Sequence, residues 1–183
     1  MRIDDAINME TAKGLTAPTL LSTEDDVTQF DCGVSDLDIW LKKKALNSQN
    51  QGNARIYVVK DANNPAVVGY YAIAMGSVRR ESAISSLRRN SPNPIPMVIL
   101  ARLAVHREYN KLGIGSGLLK DCVMRSIHAM EIVGGAGILV HAIDESAQQF
   151  YTKFGFQPSP FNNMVLMARM KDIKAVITRP SLS

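Results

Sequence analysis

The sequence predicts a mixed α/β fold organised around one sheet, and three observations carry that prediction. Two β-rich runs, residues 54–60 and 67–75, are separated by the turn cluster Asp61-Ala62-Asn63-Asn64-Pro65 and read as an antiparallel hairpin. Two later apolar runs, residues 97–105 and 137–143, flank a long helical pattern from about residue 113 to 133. The second of these is apolar apart from His141, as expected of a buried parallel strand.

Each element has its own chemistry. After Gly33, Ser35 and Asp38 have capping-box-like spacing, and Leu37, Trp40, Leu41 and Ala45 mark an apolar helical face that ends before Gly52. Lys42, Lys43 and Lys44 lie largely off that stripe. Residues 77–96 are polar and arginine-rich; Pro92, Pro94 and Pro96 argue for a loop with at most a short helix around residues 82–88. Arg102 interrupts the strand that follows, which fits a bulge, a polar edge or an arginine paired to a carboxylate. Ile114, Leu118, Leu119, Cys122, Val123, Ile127 and Met130 keep helical spacing until Gly134-Gly135. Asp144 is a good N-cap for a short helix through Ala147, Phe150, Tyr151 and Phe154, with Gly155 as its stop. A last apolar run, residues 164–170, adds a strand.

The composition bounds the function. The chain has 183 residues, 46% hydrophobic and 21% charged, a balance suited to one globular domain. No apolar run approaches the ~18 residues that span a bilayer, and the start lacks the features of a signal peptide, so a cytoplasmic location is expected. Cys32 and Cys122 form no disulfide framework; Cys122 reads as a small core residue rather than a nucleophile. His106, His128 and His141 show no metal-ligand pattern, and no metal is expected. Residues 1–38 hold nine acids against Arg2 and Lys13, whereas the rest carries a net charge of +11. Residues 1–16 read as a mobile acidic extension, residues 17–175 as the folded domain and residues 176–183 as a tail. A basic body suits a polyanionic partner, although a well-solvated basic surface is the plainer reading.

Two segments carry the chemistry. Leu103-Ala104-Val105-His106-Arg107-Glu108-Tyr109-Asn110-Lys111-Leu112-Gly113-Ile114-Gly115 runs from a strand through a glycine-containing turn into a helix start. Backbone N–H groups at such a terminus, with the helix dipole, make an anion site suited to a pyrophosphate. A G-x-G alone is a weak signal, since close packing on the sheet explains it equally well. No Gly-Lys-Ser/Thr follows, and position 118 is leucine, so neither a Walker loop nor a dinucleotide fingerprint is present. The second segment, Ala147-Gln148-Gln149-Phe150-Tyr151-Thr152-Lys153-Phe154-Gly155-Phe156, ends the short helix.

Together and in this order, the two segments resemble the GNAT superfamily of N-acetyltransferases, whose pyrophosphate motif is Q/R-x-x-G-x-G/A after a strand. Asn110 stands where Gln or Arg is usual. Phe30-Asp31-Cys32-Gly33, Leu37-Asp38-Ile39-Trp40-Leu41, Gly69-Tyr70-Tyr71 and Ala101-Arg102-Leu103-Ala104-Val105 are further similar to the acetyltransferase toxins of bacterial type II toxin–antitoxin modules. The similarity covers roughly residues 17–170. It implies a GNAT fold: a mixed, mostly antiparallel sheet with central splayed parallel strands, flanked by helices.

The resemblance also implies roles. Acetyl-CoA would be the acetyl donor, held by the backbone of Leu103, Ala104 and Val105 and, at its pyrophosphate, by Asn110, Lys111, Leu112, Gly113, Ile114, Gly115 and Ser116. Tyr151 would protonate the departing thiolate; on the residues alone, packing of the short helix by Tyr151 and Phe150 is the plainer reading. No general base is nominated, though Glu145 is near enough to test. The acceptor would be the α-amino group of aminoacyl-tRNA, blocking translation. Lys42, Lys44, Arg79, Arg80, Arg88 and Arg89 are candidate tRNA contacts, with some of the arginines equally suited to an antitoxin interface. The expected partners are a ribbon-helix-helix antitoxin and a second copy of the chain. Two other readings stay open: acetylation of a small or protein amine, and a non-catalytic acetyl-CoA-binding module.

Overall fold

The computed structural model describes residues 14–177. Its strands are β1 (Thr19–Leu20), β2 (Arg55–Lys60), β3 (Val67–Val78), β4 (Ile95–Val105), β5 (Gly137–His141), β6 (Gln157–Pro158) and β7 (Val165–Arg169). Its α-helices are α1 (Ser35–Lys43), α2 (Ala45–Asn50), α3 (Ser85–Arg88), α4 (Ile114–Val133), α5 (Glu145–Lys153) and α6 (Met170–Ile177). The strands form one seven-stranded sheet in the order β1-β2-β3-β4-β5-β7-β6. The β1–β2, β2–β3, β5–β7 and β6–β7 pairs are antiparallel, and β4–β5 is parallel. The expected mixed, mostly antiparallel sheet flanked by helices is the observed one.

Contacts divide the chain into two compact units: residues up to 73 with 102–121, and residues 74–101 with 122 onward. In the first, the hairpin pairs Arg55 with Ile73 through Val58 with Tyr70, and its register shifts between Val59 and Lys60. Tyr70 and Tyr71 alternate to opposite faces, as period-2 geometry requires. Both are fully buried, and each hydroxyl has a partner: Tyr70 donates to the Leu37 carbonyl at 2.9 Å, Tyr71 to the Asp121 carboxylate at 2.5 Å. Burial of such hydroxyls without a partner is costly.

The single helix expected over residues 35–51 is two. Lys44 leaves helical geometry (φ −125°, ψ −27°) between α1 and α2. The cause is tertiary. The buried Gln49 amide donates to the Leu21 carbonyl at 2.7 Å and accepts from the Ile56 N–H at 3.1 Å, which fixes α2 against the sheet edge. The capping box is also revised: Val34 is the N-cap, and the Asp38 carboxylate accepts from the Cys32 N–H at 2.9 Å.

The second unit contains the parallel pair. It runs from Met97 opposite Gly137 to Leu100 opposite Val140, while β4 itself continues to Val105. Val78, Ala83, Ile84, Leu87, Ile95, Met97, Leu139 and Met167 form a core cluster beneath the arginine-rich connection. That connection holds a 3-10 turn at Arg80–Ser82 and the one-turn α3.

The segment boundaries also shift. Residues 1–13 of the acidic extension lie outside the described residues, but Leu15 is buried and bridges to Asp61, and the Thr16 N–H donates to the Lys60 carbonyl at 2.9 Å. Residues 14–16 therefore belong to the fold. At the other end, 178–183 lie outside the described residues, whereas 176 and 177 close α6.

Candidate active site

β4 delivers the chain to the glycine-containing turn. Beyond Val105, the His106 N–H donates to the Val68 carbonyl at 2.8 Å, and the Arg107 N–H to the Asp31 carbonyl at 2.9 Å. The Arg107 guanidinium also bonds the Asp31 carboxylate. This pins the start of a 3-10 turn, Arg107–Tyr109, to the 29–31 segment. Lys111 and Gly113 then take left-handed conformations, φ 66° and 77°. For Lys111 that is unusual backbone, whereas glycine adopts it freely.

The helix that follows is suited to an anion. Its opening bond runs from the Gly117 N–H to the Gly113 carbonyl at 3.0 Å. The N–H groups of Ile114, Gly115 and Ser116 precede that bond and have no carbonyl partner within the helix. α4 is twenty residues long with no acidic side chain in its first turn, so no local carboxylate offsets the dipole. Asn110, Lys111, Leu112 and Gly113 are exposed around it. These features fit a pyrophosphate such as that of acetyl-CoA. Leu103 and Val105 are half-buried and Ala104 buried on the strand leading in.

Tyr151 stands on α5. Asp144 caps that helix by accepting from the Ala147 N–H at 2.7 Å, and Gly155, at φ 88°, ends it. Tyr151 packs edge-on against Phe150 and Phe156, with ring centroids 5.2 and 5.8 Å away, and is only 6% exposed. Burial pushes its hydroxyl well above the ordinary phenol range, with the neighbouring Cys122 adding to the shift. Among the described residues that hydroxyl makes no hydrogen bond, yet the sealed side-chain oxygen without a partner is Ser86 Oγ, not this one. Cys122 is fully buried, as expected of a core residue. Glu145 is exposed in the first turn of α5.

The basic candidates divide between the two units. Lys42, Lys43 and Lys44 are exposed at the junction of α1 and α2. Arg79, Arg80, Arg88 and Arg89 are exposed in the second unit, but two of them have structural duties. Arg80 bonds the Ser91 carbonyl, and Arg88 donates to the Ala83 carbonyl at 2.8 Å. Arg79 has only Glu81, at 4.0 Å, and Arg89 has no partner among the described residues.

Arg102 was expected to meet a carboxylate if structural, and it does not. Its guanidinium carbon lies 4.1 Å from the centroid of the Trp40 ring. A cation–π partner more than sixty residues away leaves no local signature in a sequence.

The Acetyltransferase (GNAT) domain family matches residues 52–158. This chain belongs to that family of acetyl-CoA-dependent N-acetyltransferases. It is 43% identical over 164 residues to the tRNA-acetylating toxin of Mycobacterium tuberculosis (strain ATCC 25618 / H37Rv), covering 90% of this chain and 98% of the relative. The solved AtaT complexed with acetyl-methionyl-tRNAfMet superposes with a TM-score of 0.82 at 28% identity, covering 90% of this chain and 99% of AtaT. A tyrosine-to-phenylalanine mutant of AtaT, bound to the C-terminus of the antitoxin AtaR and acetyl-CoA, gives 0.76 at 27% identity, covering 91% and 99%.

Proposed function

We propose that this enzyme transfers the acetyl group of acetyl-CoA to the α-amino group of aminoacyl-tRNA and so blocks translation. The observation that carries the chemistry is Tyr151, a buried tyrosine whose hydroxyl makes no hydrogen bond among the described residues. The acceptor follows from the full-length likeness to a tRNA-acetylating toxin and from AtaT solved with its acetylated methionyl-tRNA.

In this reading the N–H groups of Ile114, Gly115 and Ser116 hold the pyrophosphate, with Asn110, Lys111, Leu112 and Gly113 shaping the turn around it. Backbone groups of Leu103, Ala104 and Val105 align the pantetheine and polarise the thioester carbonyl. The substrate α-amino group has a pKa near ~8, so an appreciable fraction is already neutral, and water takes the proton of the rest. The amine attacks the carbonyl carbon and the N–C bond forms. As the C–S bond breaks, Tyr151 gives its proton to the departing thiolate. The ammonium formed on the adduct loses a proton, which restores the phenol directly or through water. A buried phenol stays protonated throughout the physiological range, which is the state a donor needs.

Arg79 and Arg89, with fewer obligations to the fold than Arg80 and Arg88, are the first candidates for tRNA phosphates; Lys42 and Lys44 are the second. The partner that silences the enzyme is an antitoxin whose DNA-binding half is of the ribbon-helix-helix type, and the working form is a homodimer. The enzyme acts in the cytoplasm. Nuclease digestion of the product tests the acceptor: the added mass of one acetyl group must sit on the amine of the terminal aminoacyl-nucleoside.

A further inference from the structure

Arg102 is a cation prepared for an anion. Trp40 stacks on Tyr70, with centroids 6.1 Å apart and planes 16° from parallel, and Tyr70 is fixed by its bond to the Leu37 carbonyl and by the edge of Phe30 at 5.5 Å. The platform beneath the guanidinium is therefore rigid. Arg102 is half-buried and, among the described residues, makes neither a hydrogen bond nor an ion pair. The Asp38 carboxylate of α1 accepts from the Cys32 N–H through one oxygen. Stacking occupies the face of a guanidinium and leaves its fork of N–H donors free along the edge. A partly desolvated fork with no bonded partner among the described residues is matched by a carboxylate or phosphate held in two parallel bonds.

Position decides between the anions. Arg102 immediately precedes the Leu103–Val105 backbone that, in the proposed function, presents the acetyl group. The pyrophosphate of acetyl-CoA is assigned there to the start of α4. In aminoacyl-tRNA the reacting amino acid is esterified to the terminal ribose, and the nearest negative charge is the phosphodiester on the 5′ side of that ribose. We propose that Arg102, held over the Trp40 ring, grips this terminal phosphodiester and thereby gives the enzyme its preference for charged tRNA over phosphate-free aminoacyl compounds. This rests on the proposed acceptor.

The test uses stable 3′-amide analogues of aminoacyl-adenosine, with and without a cytidine joined through a 5′ phosphodiester, alongside charged tRNA. Wild type should prefer the phosphodiester-bearing analogue. Arg102→Gln should lower kcat/KM about tenfold on that analogue and on charged tRNA, through KM, while leaving the phosphate-free analogue within about twofold. Arg102→Lys keeps the charge but not the planar fork; it should lose most of the preference while melting like wild type, so it decides the matter if the glutamine variant is unstable. An equal fall on both analogues, or an unchanged preference, would overturn the role of Arg102 while leaving tRNA acetylation standing. Failure of wild type to acetylate any charged tRNA would overturn both.

Discussion

The Asp144 carboxylate accepts a hydrogen bond from the Ala147 N–H at 2.7 Å, and this cap starts the helix that carries Tyr151. A single polar contact thus fixes the first turn of an element whose second turn bears the proposed acid. Asp144→Ala should cost roughly 1 kcal/mol of stability, a fall of about 2–4 °C in Tm, and should also lower kcat. Asp144→Asn, which can still accept that bond, should keep both near wild type. Thermal melts and steady-state kinetics on the two variants check this.

Tyr151→Phe removes one oxygen from a ring held by Phe150 and Phe156, so the packing survives. The expected loss in kcat is about 10²–10⁴-fold, the usual span for general acid catalysis, with affinity for acetyl-CoA unchanged. Isothermal titration with acetyl-CoA and single-turnover transfer separate the two quantities. Weakened binding with unaltered chemistry would assign Tyr151 to packing.

The pH profile follows from the direction of the Tyr151 shift. Burial raises its pKa, so the phenol remains protonated past the ordinary value and activity should not fall at mildly alkaline pH on its account. At the acid end the α-amino group of the acceptor is protonated and inert. Activity should therefore rise with pH toward about 8 and stay level beyond it, measured over short times to limit ester hydrolysis. A descending limb between pH 8 and 9 would place the essential acid elsewhere.

Gly113 adopts φ 77° one residue before α4. An alanine there costs roughly 1–2 kcal/mol of backbone strain or tilts the turn away from the pyrophosphate. Gly113→Ala should raise KM for acetyl-CoA several-fold, and Gly113→Asn, better suited to that conformation, should raise it less. Tm should fall by several degrees at most in the alanine variant and by less in the asparagine one.

Gly137 answers to the sheet rather than the site. A Cβ built there would lie 2.2 Å from the Ala168 carbonyl oxygen, a backbone atom of the neighbouring strand β7. Gly137→Ala should be among the most damaging single changes, about 4 kcal/mol or more, seen as insoluble or poorly folded protein.

Much of this fold was legible because its signals are local. Asp144 and Gly155 bracket α5 where a cap residue and a left-handed glycine should, and the spacing from Ile114 to Met130 marks α4 almost to its ends. What escaped depends on distant partners. The break at Lys44 is set by Gln49 bonding residues near positions 21 and 56, and β1 is only two residues that exist by pairing with β2. α6 follows β7 without a gap, so its apolar residues merge with those of the strand. At the site, glycine spacing marked the turn before α4 and the Phe150-Tyr151 pair lies on α5, whereas the Arg102–Trp40 contact needed coordinates.

The most direct test of the central claim is transfer of labelled acetyl from acetyl-CoA to bulk charged tRNA, run with wild type, with Tyr151→Phe and with uncharged tRNA. Label on charged tRNA alone, strongly reduced in the variant, is the predicted result. Label on no tRNA, from an enzyme that still binds acetyl-CoA, would contradict it and point to a small or protein amine as the acceptor.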